Sequence, residues 1–179
     1  MDTIERAARD AIPTLADFCL VHVVNGATIP CVAGAHVSRQ GQMHVRALMR
    51  SRGIRRNDLV STVAHVVRTR RPILRTHVAA EPREAIHKGG IAELQHRLAP
   101  RSVLVVPIAE GAVILGALSL CYSESGRSYS ERHLKPAHRM AARIAGLLAA
   151  ARRARVRVHA AIRDARQRAT SRRRIAPRH

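Results

Sequence analysis

Near its N-terminus the chain alternates short apolar segments with turns. Four apolar residues recur at spacings of four, three and four: Ile4, Ala8, Ala11 and Leu15. This spacing predicts a short amphipathic helix. Residues 18–24 read FCLVHVV and end at Asn25-Gly26, a typical hairpin turn, so residues 28–37 are predicted to return as an antiparallel strand. Both strands are apolar on both faces, which predicts a sheet that is covered on its two sides.

The middle of the chain has the pattern of short helices around one strand. Helices are predicted over residues 43–51 and 58–69, and a strand over residues 73–76. Asp58 is the expected N-cap of the second helix, whose buried arc would carry Leu59, Val60, Val63, Ala64, Val66 and Val67. A further short helix would bury a stripe made of Ile91, Leu94 and Leu98.

The second half of the chain predicts a hairpin and a long helix. Two apolar strands, residues 102–108 and 113–122, are joined by a turn at Glu110-Gly111. Ser130 is the expected cap of a helix that continues almost to the C-terminus. Its apolar residues form a narrow stripe, typical of two helices that pair: Ala137, Ala141, Ile144, Leu148 and Ala151.

Composition adds a strong basic excess to this pattern. The chain has 179 residues, of which 46% are apolar and only 2% aromatic, so one aliphatic core is expected and few rings are available to stack on a ligand. The formal net charge is +20. Residues 152–179 contain eleven arginines and one acid, Asp164, which gives this segment a net charge of +10. We therefore divide the chain into a domain of residues 1–151 and an Arg-rich tail, helical to disordered, of residues 152–179.

The cysteines and the distribution of apolar residues indicate the compartment. Cys19, Cys31 and Cys121 are odd in number, lack CxxC spacing and lie in apolar segments, so reduced, buried and unreactive thiols are expected. No signal peptide and no membrane-spanning segment is apparent in the sequence. A cytoplasmic location without membrane contact is the prediction.

Several sequence segments together resemble the GAF domain family. IPTLADFCLVHVV resembles the passage from the first helix of that family to its first strand, and VVRTRRPIL a later passage from helix to strand. APRSVLVVPIAEGAVILGALSL is similar to the hairpin of the family, and SGRSYSERHL to the entry into its last helix. The resemblance covers residues 4–152 and is strongest to GAF domains of bacterial sensor kinases and sporulation-type serine phosphatases.

The resemblance implies a fold and a class of function. The expected fold is α+β, with a central antiparallel sheet of five or six strands and with the N- and C-terminal helices packed on one face. The implied function is sensory or regulatory and non-catalytic, with a small molecule or a partner protein as input and the terminal helices as output. No cofactor is expected. Candidate residues for an aliphatic ligand pocket are His22, Val60, Val63, Ile73, Leu94 and Val103.

The terminal helices are predicted to form a homodimer. Their small apolar residues suit close contact between helices, and the interface candidates are Ile4, Ala8, Ala11, Ala141, Ile144 and Leu148. The resemblance implies that such a helix pair passes the signal onward.

Two alternatives from other classes remain open at this point. The first is a nucleic-acid-associated regulator that acts through Arg152, Arg153, Arg155 and Arg157. The second is a redox enzyme of the GAF type, which would need cysteines between residues 41 and 101, where the sequence has none. The sequence also lacks P-loop, GxGxxG, HExxH and GxSxG motifs, so no catalytic residue and no metal ligand is assigned.

Overall fold

A computed structural model describes residues 2–79 and 97–175. Within these residues it contains four α-helices, seven strands and one 3-10 turn, in the following order: α1 (Asp2–Arg9), β1 (Phe18–Val23), β2 (Thr28–Ile29), β3 (Cys31–His36), α2 (Arg39–Met49), β4 (Ile54–Arg55), α3 (Thr62–Thr69), β5 (Ile73–Arg75), β6 (Ser102–Glu110), β7 (Val113–Tyr122), the 3-10 turn (Glu131–His133) and α4 (Leu134–Ile175). The helix predicted around Ile91 and Leu94 lies mostly outside the described residues.

Five strands form the central sheet in the order β3-β1-β7-β6-β5, with every neighbouring pair antiparallel. The predicted hairpin is its centre: β6 and β7 pair from Ser102 opposite Tyr122 to Glu110 opposite Val113. The hairpin at Asn25-Gly26 returns the chain as β2 and β3, and β3 pairs with β1 as expected. The predicted α+β fold with an antiparallel sheet is therefore confirmed.

Helices α1 and α4 cover one face of this sheet, as predicted. Alternate strand residues such as Val21 and Leu118 point into the layer between the sheet and the helices. The helices contribute mostly alanine to this layer: Ala7, Ala8, Ala11, Ala137, Ala141 and Ala145. Small side chains allow the two helices to lie close to each other and to the strands.

The residues predicted for a subunit interface lie in this layer. Ile4, Ala8, Ala11, Ala141 and Ile144 are buried, and Leu148 is partly buried, by the sheet and helices of the same chain. Their stripe identified an apolar surface, but its periodicity does not say which element covers it. Their assignment to contacts between subunits is therefore corrected to packing within one chain.

The opposite face of the sheet carries α2, α3 and a small second sheet. Strand β4 pairs with β2, through Ile54 opposite Ile29 and Arg55 opposite Thr28. These two-residue strands are too short to give an alternating pattern, and the sequence analysis missed β4. Ile29, Ile54 and Val63 form a buried cluster that attaches this small sheet to α3.

Helix α3 begins four residues later than predicted. Its N-cap is Ser61, whose Oγ accepts from the Ala64 N–H at 3.3 Å. The Asp58 carboxylate instead accepts from the N–H groups of Val60 and Ser61 and forms a turn ahead of the helix. Leu59 and Val60 consequently lie outside the helix and are 81% and 94% exposed. The prediction that both belong to the buried arc is wrong.

A polar cluster closes the end of the sheet where β7 leaves it. Gly126 turns the chain with a φ of 67°, and the buried Asp17 carboxylate accepts from the N–H groups of Ser123 and Ser125 at 2.8 and 2.9 Å. The Arg127 guanidinium donates to Asp17 at 3.3 Å and lies 4.4 Å from the centre of the Tyr122 ring. The polar segment SGRSYS is thereby fixed to the start of β1 and directs the chain into the last helix.

The last helix extends well beyond the sheet. Pro136 lies in the first turn of α4, where its missing N–H breaks no helical hydrogen bond. The helix has 42 residues, a length of about 63 Å. Burial against the sheet ends at Ala149, and Arg153 bonds to Glu110 at 3.1 Å beside the β6–β7 turn. We call the part of α4 after Ala149 the overhang.

Candidate functional site

The candidate site lies on the sheet face opposite α1 and α4. Strand alternation directs Leu20 and His22 of β1 towards this face, whereas Val21 points to α1 and α4. A bulge in the β1–β3 pairing falls between Val21 and His22. Backbones also come unusually close here, because a Cβ at Gly116 of β7 would overlap the carbonyl oxygen of His22. The backbone that carries His22 is thus fixed from both neighbouring strands.

His22 is buried and one of its ring nitrogens is unpaired. The residue is only 5% exposed, and its Nδ1 has no hydrogen-bond partner among the described residues. Burial penalises the charged imidazolium and lowers the pKa of His22 to about 4. The ring is therefore neutral at physiological pH and can offer a free nitrogen as an acceptor or, in the other tautomer, as a donor.

A small cavity adjoins this ring. It measures about 10 Å³, at the lower limit for one water molecule. The residues that line it come from β1, β3, α2, the segment before β4 and the start of β4 itself: Leu20, His22, Cys31, Leu48, Ser51, Gly53 and Ile54. An unpaired buried nitrogen beside an apolar cavity is the kind of feature that binding sites use for orientation.

The structure keeps only part of the predicted pocket together. Val63, Ile73 and Val103 lie in the core of the same face, with Val63 and its neighbours covering β6 and β7. His22 lines the cavity itself. Val60 is displaced to the surface, which corrects its assignment to the pocket, because the helix that was expected to bury it begins at Thr62. Leu94 lies outside the described residues.

Most of the cavity-lining residues were missed by the sequence analysis. Leu20 shares a strand face with His22, so two-residue alternation was a usable signal for it. Leu48 required the position of α2 over the sheet, and Ser51, Gly53 and Ile54 required the unpredicted strand β4. These contacts depend on tertiary packing that no local pattern reports.

The three thiols of the chain are buried, Cys31 and Cys121 on this side of the sheet and Cys19 on the other. Burial raises the pKa of Cys31 and of Cys19 to about 12, and raises that of Cys121 further. A thiol with such a pKa stays protonated and is a poor nucleophile. All three cysteines are free and buried. Among residues 2–79 and 97–175 no group of three or more His, Cys, Asp or Glu side chains is arranged to hold a metal ion.

We expect His22 to make the stability of the protein depend on pH. The pKa of a histidine in the unfolded chain is about 6.5, and that of His22 in the folded protein is about 4. The unfolded state therefore binds the proton first, and stability is lost as the pH falls from about 6.5 to about 4, by about 3 kcal/mol. Denaturant unfolding at a series of pH values measures this loss.

The matched variants for this measurement are His22→Leu and His65→Leu. The first removes the buried imidazole and is expected to flatten the pH dependence between pH 6.5 and 4. The second removes an exposed histidine of α3 and is expected to keep the wild-type curve. An unchanged pH dependence in His22→Leu contradicts the assignment of a buried neutral ring.

Comparison with known proteins identifies the family. Residues 1–149 match the profile described as GAF domain. The chain belongs to the GAF domain family. No curated protein matches the sequence. In the part of the chain that the structure describes, no helix is long and apolar enough to cross a bilayer.

Solved GAF domains from bacterial proteins share the fold of this GAF domain. The GAF-B domain of DevS from Mycobacterium smegmatis is 18% identical, with a TM-score of 0.58 over 85% of this chain and 96% of that one. The GAF domain of a phosphoenolpyruvate-protein phosphotransferase from Coxiella burnetii is 18% identical, with a TM-score of 0.64 over 86% of both chains. The blue-light absorbing form of the PixJ GAF domain from Thermosynechococcus elongatus is 18% identical, with a TM-score of 0.54 over 88% of both. At these identities the likeness establishes the fold alone.

Proposed function

We propose that this GAF domain is a non-catalytic sensory domain of bacterial signal transduction that acts in the cytoplasm. In this proposal a small molecule or a partner protein is recognised at the His22 face of the sheet, and α4 passes the signal onward. The neighbours in fold are GAF domains of bacterial sensory and regulatory proteins, which supports the class of function. The input site and the output route rest on the geometry of this chain.

The observation that carries the proposal is the unpaired Nδ1 of His22. A buried polar atom without a partner costs about 1–3 kcal/mol, so its retention needs a compensating use. A ligand or an ordered water that bonds to Nδ1 would supply the missing partner. The cavity at His22 is small, so the ligand must either be small itself or enlarge the space between β1, α2 and the residues before β4.

The chemistry of the described residues supports a role without catalysis. The two thiols on the His22 face have strongly raised pKa values and no basic side chain bonded to them. His22 lacks a carboxylate partner that would orient it as a general base. The same observations argue against the redox alternative, because thiol redox chemistry needs an accessible thiolate.

The continuity of α4 supports its role as the output. One helix packs on β6 and β7 and then continues as the overhang without an intervening loop. His22 is opposite Ala117 of β7. A displacement of β1 or β7 at the ligand side of the sheet therefore reaches α4 through a single layer of side chains.

Thermal unfolding with the low-molecular-weight fraction of a bacterial extract tests the proposal. A ligand at about one hundred times its Kd raises the Tm by about 5–10 °C for a domain of this size. We expect that rise for the wild type and none for His22→Leu, with His65→Leu behaving as wild type. An equal rise in the wild type and in His22→Leu would refute the assignment of the input to this face.

A homodimer remains part of the proposal, with corrected residues. Because the predicted interface residues are buried in their own chain, a second copy has to pair through the overhang. Four exposed apolar residues of the overhang recur on one side of the helix: Ala151, Ala154, Val158 and Ile162. Each copy also brings the +10 of residues 152–179 towards the other. Their repulsion is screened by salt, so dimerisation is expected to strengthen as the ionic strength rises.

The variant Ile162→Asp is expected to abolish this dimer and to leave the domain folded. It places a charge at the C-terminal end of the apolar stripe, on its largest side chain, which is 46% exposed in a single chain. Sedimentation at several protein and salt concentrations measures the effect. A wild type that stays monomeric at high micromolar concentration in high salt contradicts the dimer.

Nucleic-acid binding is a second candidate, favoured by the exposure of the overhang arginines. Arg152, Arg153, Arg155 and Arg157 are all exposed on α4. Binding to phosphates releases counterions, so the affinity would fall steeply as salt rises, in the opposite direction to dimerisation. We expect weak, sequence-indifferent binding to a DNA duplex. A high affinity that survives in salt and depends on these four arginines would favour this candidate over the sensory role.

A further inference from the structure

The turn before α3 presents two large aliphatic side chains to solvent. Leu59 and Val60, which we call the apolar tip, are the two most exposed large hydrophobic residues in the part of the chain that the structure describes. They are adjacent and lie outside any helix or strand. Leucine and valine side chains exposed to this degree forgo about 1.5–3 kcal/mol each of burial energy. Such an exposed pair calls for a partner that covers it.

The apolar tip is held in its exposed position by several bonds. The Asp58 Oδ1 accepts from the Val60 N–H at 2.9 Å and from the Ser61 N–H at 3.0 Å. Arg56 N–H donates to the Ala27 carbonyl at 2.9 Å on the side before the tip. On the other side the Ser61 hydroxyl caps α3. Turning the tip inwards would break these bonds, so the exposed geometry is built into the fold.

The tip is flanked by positively charged residues. Arg55 and Arg56 are exposed and shortly precede it in the chain, and the exposed Arg68 donates from Nη1 to the Asp58 carbonyl oxygen at 3.2 Å, which places that guanidinium beside the turn. Asp58 is the only acidic residue between Asp17 and Glu81, and residues 39–75 contain ten arginines. The Asp58 carboxylate accepts from backbone N–H groups and forms no ion pair with these arginines within the described residues.

We propose that the apolar tip inserts into an anionic lipid surface while Arg55, Arg56 and Arg68 contact the lipid phosphates. Leu59 and Val60 project together from a turn, and a fluid bilayer accommodates a projecting pair without a preformed pocket. The interfacial region offers both an apolar phase for the tip and phosphates for the arginines. Each arginine near an anionic surface contributes about 1 kcal/mol. A nucleic acid offers phosphates but no apolar phase for aliphatic side chains, so it fits the arginines alone.

This inference replaces the expectation of no membrane contact. That expectation rested on the absence of a signal peptide and of a membrane-spanning segment from the sequence, and neither observation bears on a surface contact through an exposed turn such as Leu59-Val60. The tip does not line the cavity at His22. The lipid proposal is therefore independent of the proposed sensory function, and each can fail without the other. Together they would describe a sensory domain that is held at the cytoplasmic side of an anionic bilayer.

Co-sedimentation of the full chain with lipid vesicles tests the inference. The probes are vesicles of phosphatidylcholine alone and of phosphatidylcholine mixed with phosphatidylglycerol. The wild type is expected to bind the mixed vesicles and not the neutral ones. The double variant Leu59→Ser/Val60→Ser keeps every charge and is expected to bind at least about tenfold more weakly, from the lost burial of two aliphatic side chains.

Two further variants separate the apolar tip from general charge. Arg55→Gln/Arg56→Gln/Arg68→Gln is expected to lose about tenfold or more in affinity for the mixed vesicles. The matched control Val113→Ser/Val156→Ser removes two exposed valines elsewhere and is expected to bind within about twofold of wild type, a change well below that of burying one methylene. Thermal unfolding of each variant verifies the fold. Equal binding by the wild type and Leu59→Ser/Val60→Ser would show attraction by charge alone and overturn the proposal.

Insertion itself can be observed with an environment-sensitive fluorophore. The native cysteines are all buried, so a Val60→Cys variant can be labelled at the tip and a Val113→Cys variant serves as the control. We expect the label at residue 60, and not at residue 113, to shift to shorter wavelength and brighten on mixed vesicles. No spectral change at residue 60, or no binding of the wild type to either vesicle, would overturn the proposal and leave the tip to a protein partner.

Discussion

The Ile144→Asp variant is expected to be largely unfolded at 25 °C. Ile144 is fully buried between α4 and the sheet, in the cluster that also holds Ala8 and Ala141. The substitution removes the burial of a large aliphatic side chain and places a carboxylate where the surrounding helices offer only apolar atoms. The combined cost is about 4–5 kcal/mol or more, comparable with the whole stability of many domains. Circular dichroism and denaturant unfolding measure it.

Ile162→Asp is the matched control on the same helix. Ile162 is half exposed on the overhang, so this substitution is expected to change the free energy of unfolding by less than about 1 kcal/mol. The pair distinguishes packing within the chain from contact between chains. An Ile144→Asp variant that remains folded and merely becomes monomeric would contradict the layer of α1 and α4 described here.

The Asp17→Ala variant is expected to lower the free energy of unfolding by about 3–5 kcal/mol. It leaves the N–H groups of Ser123 and Ser125 without their acceptor, and the Arg127 guanidinium without its counter-charge. Burial alone would raise the pKa of Asp17, but hydrogen bonds from Ser125, Ser123 and Arg127 outweigh it and lower that pKa below its usual value. The stabilisation is therefore complete above the unfolded pKa of about 3.9 and is lost as the pH falls below it.

Asp10→Asn provides the comparison for the polar cluster around Asp17. Asp10 also pairs with an arginine, Arg143, at 2.6 Å, but both side chains are about half exposed. An exposed ion pair is worth less than about 1 kcal/mol, so Asp10→Asn should unfold almost as the wild type does. Equal losses of unfolding free energy in Asp17→Ala and Asp10→Asn would contradict this account. They would show that the buried hydrogen bonds of Asp17 stabilise the protein no more than an exposed ion pair does.

Much of the fold was predictable because short stretches of the sequence carry the signals for its strands, turns and helices. Strands β6 and β7 are long apolar runs joined by a glycine turn, and the turn Asn25-Gly26 follows shortly after β1, so the pairing of the strands could be predicted from the turn residues. The stripe of α4 from Ala137 to Leu148 correctly marked a buried helix face. These signals are strong because each depends on residues near one another in the chain.

The candidate site and its surroundings were less predictable for a physical reason. His22 was identified because it shares a strand face with Leu20, but its cavity is completed by residues around β4, a strand of two residues. Asp58 and Ser61 are both suitable N-cap residues, and the structure uses Ser61. The Ser61 hydroxyl accepts from the Ala64 N–H, whereas the Asp58 carboxylate accepts from the N–H groups of Val60 and Ser61 and forms a turn ahead of the helix. That choice moved Leu59 and Val60 from the core to the surface.

The amphipathic stripes predicted which helix faces are buried, but they did not predict which element packs on those faces. The stripes of α1 and α4 predicted close helix packing, and the structure places that packing inside one chain. The overhang continues an apolar stripe without the sheet beneath it. Its net charge then decides which partners are electrostatically favourable, a property that depends on the whole tail rather than on periodicity.

Native mass spectrometry of the full chain, purified from bacterial cells under non-denaturing conditions, tests the central claim most directly. That claim is that the His22 face binds the molecule to which this sensory domain responds. We predict a wild-type mass that exceeds the polypeptide mass by one small molecule, released on denaturation, and a His22→Leu variant that carries none. A wild type with the bare polypeptide mass, or the same bound mass in His22→Leu, would contradict the claim.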